Sequence, residues 1–252
     1  MRFKNRIAIV TGAGSKKGIG RTTALTLARD GADVVVGDLD LPGAEEVVDK
    51  IKALGRRSFA VQADVSKQED VSRLVQRVLD QFGRIDILVN NAGITQPIKV
   101  LDMTEADWDR IITTNLKGTF LCSKAVLPAM IKQGYGRIVN LSSVSAKRGG
   151  GIFGGAHYSA AKAGILGFAK ALAREVAAYG ITVNSVAPGL IATDIRGGLE
   201  TPERQKEIAR DIPCQRLGTP EEVAAAIAFL ASEEAGYITG EEIDINGGSH
   251  MD

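Results

Sequence analysis

Short β-branched runs and longer amphipathic stretches alternate along the whole chain. The strand candidates are Ile7–Thr11, Asp33–Gly37, Ser58–Gln62, Ile85–Asn90, Arg137–Leu141, Thr182–Ala187 and Glu242–Ile245. Between them Gly20–Arg29, Gly43–Leu54, Lys67–Phe82, Glu105–Ile131, Ser159–Tyr179 and Pro220–Ala231 place apolar residues at helical spacing. This alternation predicts an α/β fold, a parallel sheet with helices on both faces.

Several helix ends carry their own chemistry. Ser66 with Glu69 and Thr219 with Glu222 have the spacing of a capping box, and Thr104 with Asp107 is a weaker version, so each predicts a helix start. Gly31, Gly55, Gly83 and Gly180 fall where helices should stop, in positions suited to a left-handed residue. No stretch has a linker's composition and there is no internal repeat, which predicts one domain over residues 1–252. The least regular region, Asp194 to Gly218, reads as a polar loop with one short helix and is the lid candidate.

Composition narrows the function classes. With 31 basic against 30 acidic side chains the net charge is +1, so no surplus field gathers a polyanion, and neither nucleic acid nor membrane is an expected partner. The apolar runs are strand length, and Ile7–Val10 is too short for a signal-peptide core, which predicts a cytoplasmic protein. Cys122, Cys214, His157 and His250 have neither a disulfide framework nor metal-ligand spacing, so no metal is expected. His157 reads as a loop residue, and Trp108 and Tyr179 as packing.

The 29 glycines fall in clusters, and the clusters carry chemistry. The first strand ends in Thr11-Gly12-Ala13-Gly14-Ser15-Lys16-Lys17-Gly18-Ile19-Gly20, and a helix follows at once. Glycines there let the backbone approach a pyrophosphate, whose charge meets free amides at the helix start. Asp38, 18 residues beyond Gly20, sits where a carboxylate bonds adenosine ribose hydroxyls and repels a 2′-phosphate. It favours NAD, whereas Lys17 would accommodate the phosphate of NADP.

Tyr158 and Lys162 stand four apart, on one helix face. A phenol of ordinary pKa about 10 is a poor base, and a neighbouring ammonium lowers that value. Strand five spills into Ser142-Ser143-Val144-Ser145 at the end of the sheet where ligands bind, and a hydroxyl there suits a substrate carbonyl. Strand four supplies Asn90-Asn91-Ala92-Gly93, and Asn115 is an unusual residue for mid-helix.

TGAGSKKGIG, NNAG, Asn115, the Ser142–Ser143 pair, YSAAK and Ala187-Pro188-Gly189 occur in one order and together resemble the short-chain dehydrogenase/reductase family over nearly all the chain. The resemblance implies a doubly wound Rossmann fold of seven parallel strands and a homotetramer. It also implies hydride exchange between NAD(H) or NADP(H) and a small secondary alcohol or ketone. By motif, Tyr158 is implied as the acid/base and Lys162 as the ribose ligand that lowers its pKa. Ser143 would orient the substrate oxygen and Asn115 support a relay water. Asp64 resembles the adenine contact, Asn91 a ribose-side contact, and Ile191 and Thr193 the carboxamide contacts. Gly12, Ser15, Lys17, Gly18, Ile19, Gly20, Val65, Ala92, Gly93, Pro188 and Gly189 complete the implied cofactor surface.

The chain departs from the family in places. Its glycine loop is two residues longer than TGxxxGxG, and the usual serine-to-tyrosine spacing points to Ser145. The Asn-x-Ser-Ser pattern points instead to Ser143, which is preferred, with a two-residue insertion in Gly149–Gly155. Asn246-Gly247-Gly248 replaces the family's Asp-Gly-Gly. Carrier-protein reductases of the family tend to place basic residues beside the cleft, and those places fall on Gly134 and Tyr179. With Asp38, this sets an NAD-linked dehydrogenase of a polyol, sugar or related alcohol ahead of an NADPH-dependent 3-oxoacyl-carrier-protein reductase. A cofactor-sensing protein without chemistry is the rival from another class, and the intact Ser143, Tyr158, Lys162 and Asn115 set stands against it. Helices Glu105–Ile131 and Ser159–Tyr179 are the expected subunit contacts.

Overall fold

A computed structural model describes residues 1–150, 153–195, 201 and 207–251. Seven strands form one parallel sheet in the order β3-β2-β1-β4-β5-β6-β7. They are β1 (Ile7–Thr11), β2 (Asp33–Asp38), β3 (Ser58–Gln62), β4 (Ile87–Asn90), β5 (Gly136–Leu141), β6 (Ile181–Pro188) and β7 (Glu242–Ile245). The helices are α1 (Ile19–Arg29), α2 (Leu41–Ala53), α3 (Gln68–Phe82), α4 (Glu105–Ile112), α5 (Gly118–Gln133), α6 (Ser145–Arg148), α7 (Ala156–Val176) and α8 (Pro220–Leu230).

Strand residues alternate between two apolar layers because successive side chains point to opposite faces. Ala8 and Val10 pack with α1, α2 and α8, while Ile7 and Ile9 pack with α3, α5 and α7. Strands β1 to β3 spread one way from the centre and β4 to β7 the other, so a crevice opens where β1 and β4 lie side by side. No helix among the described residues is long and apolar enough to cross a membrane.

Three local expectations change. Thr104 and Thr219 form full capping boxes, but Ser66 does not: α3 starts after Lys67 without a side-chain cap, because the Ser66 hydroxyl is spent on Asp64 Oδ1 at 2.6 Å. The stretch Glu105–Ile131 is not one regular helix. A π turn, Thr113–Lys117, separates α4 from α5, and periodicity misses it because one extra residue leaves apolar spacing intact on either side. The third is α6, a helix at Ser145–Arg148 where only a strand end was expected. Part of the lid candidate, 196–200 and 202–206, lies outside the described residues; its base closes through a parallel bridge of Ile191 with Gly218.

The amino ends of the strands hold a cluster of paired charges. Asp86, fully buried, accepts from the Ile7 amide at 2.8 Å, Arg6 at 3.0 Å and Arg84 at 2.9 Å. The Tyr135 ring lies between the Arg6 and Arg137 guanidiniums, 3.8 and 4.3 Å from them, and burial pushes its phenol up to about 12.

Candidate active site

At the carboxyl ends of the strands a cavity of about 1160 Å³ runs from the glycine loop to the lid base. Gly12 has φ +65°, and a Cβ on it would lie 2.6 Å from the Ala92 Cα, so glycine alone lets the loop close onto β4's end. Asn91 Nδ2 ties the two together, donating to Thr11 O at 2.9 Å and Gly12 O at 2.6 Å. Asp38 faces the same loop. Its Oδ2 accepts from the Gly14 amide at 2.7 Å and its Oδ1 from the Asp40 amide at 2.9 Å, which fixes the carboxylate at the cavity wall.

Gly12, Ser15, Gly18, Ile19, Asp38, Asp64, Val65, Asn91, Ala92, Gly93, Pro188, Gly189, Ile191 and Thr193 all line the cavity, as expected for a cofactor surface. Two others do not. A Cβ on Gly20 would lie 2.3 Å from Asn91 Nδ2, so Gly20 is a packing glycine behind the loop. Lys17 is exposed: the loop's two extra residues bulge outward, and its amide is held by Asp194 Oδ2 at 3.0 Å. Asp194, which also accepts from the Ser15 hydroxyl, had no local sequence signal, because its partners lie far back in the chain.

The chemical groups converge on the same cavity. Lys162 Nζ donates to Leu141 O at 2.7 Å, and the Ser142 hydroxyl to Lys162 O at 3.0 Å, which lock α7 to the end of β5. Lys162 Nζ stands 5.6 Å from the Tyr158 ring centre. The Tyr158 phenol lies beside the Ser143 side chain, which acts to lower its pKa. Ser145 lies on α6 and gives its amide to Ser143 Oγ at 3.2 Å, so Ser143 is the hydroxyl against the tyrosine. Asn115, buried in the π turn, donates from Nδ2 to Ile94 O at 3.0 Å and Ile111 O at 2.9 Å, while its Oδ1 has no partner among the described residues. A Cβ on Gly93 would lie 2.6 Å from that Oδ1 and 3.5 Å from Lys162 Nζ.

Burial pushes the Tyr158 phenol above its ordinary range, and the neighbouring Ser143 side chain only partly opposes this. The same burial brings Lys162 down to about 8. His157 is no loop residue but is buried in the first turn of α7, where its Nδ1 accepts the Tyr158 amide at 2.8 Å. Trp108 and Tyr179, expected as packing, are 41% and 48% exposed. The cleft argument from Gly134 and Tyr179 also falls. They adjoin each other just before β5 and β6, at the amino ends, while the cavity opens at the carboxyl ends of those strands in the same chain.

The crevice fits a dinucleotide: its wall carries Gly12, Gly93 and Gly189, where a Cβ would collide, and among the described residues it holds an unpartnered buried acceptor, Asn115 Oδ1. Fold and site together define a Rossmann-type oxidoreductase. The family model described as Enoyl-(Acyl carrier protein) reductase matches residues 12–250, and the chain belongs to the short-chain dehydrogenase/reductase family, whose members use a nicotinamide cofactor. It is 45% identical over 249 residues to an uncharacterized short-chain type dehydrogenase/reductase of Sinorhizobium fredii, with 98% of each chain covered. It is 46% identical over 250 residues to the 3-oxoacyl-[acyl-carrier-protein] reductase FabG of Staphylococcus epidermidis, covering 98% of this chain and 100% of that one. Against FabG of Escherichia coli the identity is 45% over 251 residues, with both chains wholly covered.

Proposed function

We propose that this enzyme reduces the ketone of a 3-oxoacyl thioester to the secondary alcohol, with NADH as the nucleotide. The relatives named as 3-oxoacyl reductases support the substrate class, and the polyol or sugar reading takes second place. The observation that carries the chemistry is the Tyr158 phenol beside Ser143 on the cavity wall, two hydroxyls that can receive a carbonyl oxygen and supply its proton.

The two hydroxyls, Ser143 and Tyr158, receive the ketone oxygen. A nicotinamide held in this cavity would supply the hydride that reduction of the ketone requires. Tyr158 gives its proton to the oxygen, and Lys162 stabilises the phenolate left behind. Asn115 Oδ1 and Lys162 Nζ, both beside Gly93, support a water that returns a proton to Tyr158. Asp38, held by Gly14 and Asp40, meets the adenosine ribose hydroxyls and repels a 2′-phosphate. That carboxylate also favours the second reading, NAD-linked oxidation of a polyol, sugar or other secondary alcohol. The half-exposed Trp108 and Phe120 on α4 and α5 support a homotetramer, which light scattering tests.

The deciding assay follows NADH and NADPH oxidation with a neutral acetoacetyl thioester, and NAD reduction across polyols, sugars and simple secondary alcohols. NADH consumption with the thioester is expected, and Asp38→Ser is expected to move the preference toward NADPH by about tenfold. Turnover of an alcohol alone establishes the second reading. Nucleotide binding with no turnover in either assay leaves the cofactor-sensing protein.

A further inference from the structure

Helix α6 follows directly from Ser143 and ends in two cations with different surroundings. Lys147 is anchored: its Nζ lies 2.9 Å from Asp244 Oδ2 and 3.7 Å from Glu242 Oε2, and only 13% of its side chain is exposed. That ion pair fixes α6 to β7. Arg148, the next residue, is exposed along the cavity wall, and its Nη1 donates only to a backbone carbonyl, Ser249 O, at 3.4 Å. Among the described residues no carboxylate pairs with it. Among the described residues the lining holds two other cations, and both are engaged, Lys162 with Leu141 O and Arg110 with Gln96 Oε1 at 2.8 Å.

We infer that Arg148 holds an anionic oxygen group, a phosphate or a carboxylate, carried by the molecule whose ketone meets Ser143 and Tyr158. The inference rests on the reading of the site as a ketone reductase. A guanidinium presents a planar fork that matches either group with two parallel hydrogen bonds. The anchored helix presents that fork from a fixed base, so less freedom is lost on binding. The phosphate of a pantetheine arm and the carboxylate of a free 3-oxo acid are the two sources of such a group within this substrate class.

Two matched pairs separate these sources by calorimetric titration into NAD-saturated protein: 4′-phosphopantetheine against pantetheine, and acetoacetate against 2-butanone. The wild type is expected to bind one anionic member about tenfold or more tightly than its neutral mate. Arg148→Met is expected to lose that margin and Arg148→Lys to keep part of it, with thermal melts showing that both variants fold. A margin for phosphopantetheine identifies the phosphate, and one for acetoacetate the carboxylate. Equal affinities within both pairs, or a margin that survives in Arg148→Met, overturns the inference. Because the readout is affinity, absent turnover counts against the reductase reading alone.

Discussion

The two ends of the sheet treat buried charges in opposite ways. At the amino ends, Asp86 is buried with an amide and two guanidiniums around it, and Arg137 donates to Ser232 O at 3.2 Å and Gly180 O at 3.2 Å. At the carboxyl ends, Asn115 Oδ1 is buried without a partner among the described residues, the Tyr158 phenol is pushed up, and Lys162 is brought down to about 8. A buried polar group left unsatisfied costs free energy; Asn115, unlike Thr182 at the amino end of β6, whose Oγ1 also lacks a partner among the described residues, lines the cavity, where a ligand is expected to complete it. Charges at the other end are satisfied internally and serve the fold.

The largest test of that contrast is Tyr158→Phe. Removing the phenolic proton is expected to lower turnover about 10²- to 10⁴-fold while melting temperature and nucleotide affinity stay near wild type. Steady-state kinetics beside nucleotide titration checks this, and undiminished turnover would end the proton-donor role. Asp86→Ala should show the converse. Leaving Arg6 and Arg84 beside a buried void is expected to cost about 3 kcal/mol in urea unfolding, with kcat per folded molecule unchanged. A stable variant would mean that the amino-end cluster is not structural.

The smallest effect comes from Lys162→Met in the nucleotide-free protein. The folded pKa of about 8 lies below the ordinary 10.5, so holding the charge costs the native state about 3 kcal/mol below pH 8. Between pH 8 and 10.5 the unfolded chain binds more protons, so wild-type stability from this group rises with pH. At pH 7 the variant is therefore expected to be at least as stable as wild type, despite losing a hydrogen bond to Leu141 O worth about 1 kcal/mol. Its advantage shrinks as pH rises toward 10, and its nucleotide affinity falls. Denaturant melts at pH 7 and pH 9.5 read the difference, and a variant weaker than wild type at pH 7 contradicts the burial cost.

Much of the site was legible where chemistry sits within one turn of chain. Gly12 to Gly18 and Tyr158 with Lys162 are local because a phosphate loop and a helix face are built from near neighbours. Asp38 was legible because a strand of fixed rise delivers its last residue to a known place. What escaped depends on segments that meet only in space. Gly20 cannot be told from a lining glycine until Asn91 is placed behind it, and Lys17 cannot be told from a cofactor ligand until the lengthened loop bulges toward Asp194. The π turn escaped because one extra residue leaves the apolar pattern on both sides intact.

By itself the sequence determined the alternation of strands and helices, the glycine loop and the Tyr158–Lys162 pair, since side-chain period and backbone freedom are local properties. Tertiary structure alone decided that Gly134 and Tyr179 lie far from the cavity and that burial pushes the Tyr158 phenol up, and it put Ser143, which the Asn-x-Ser-Ser pattern had already preferred, beside that phenol. Desolvation and proximity depend on everything packed around a group, and no window of sequence contains that surrounding.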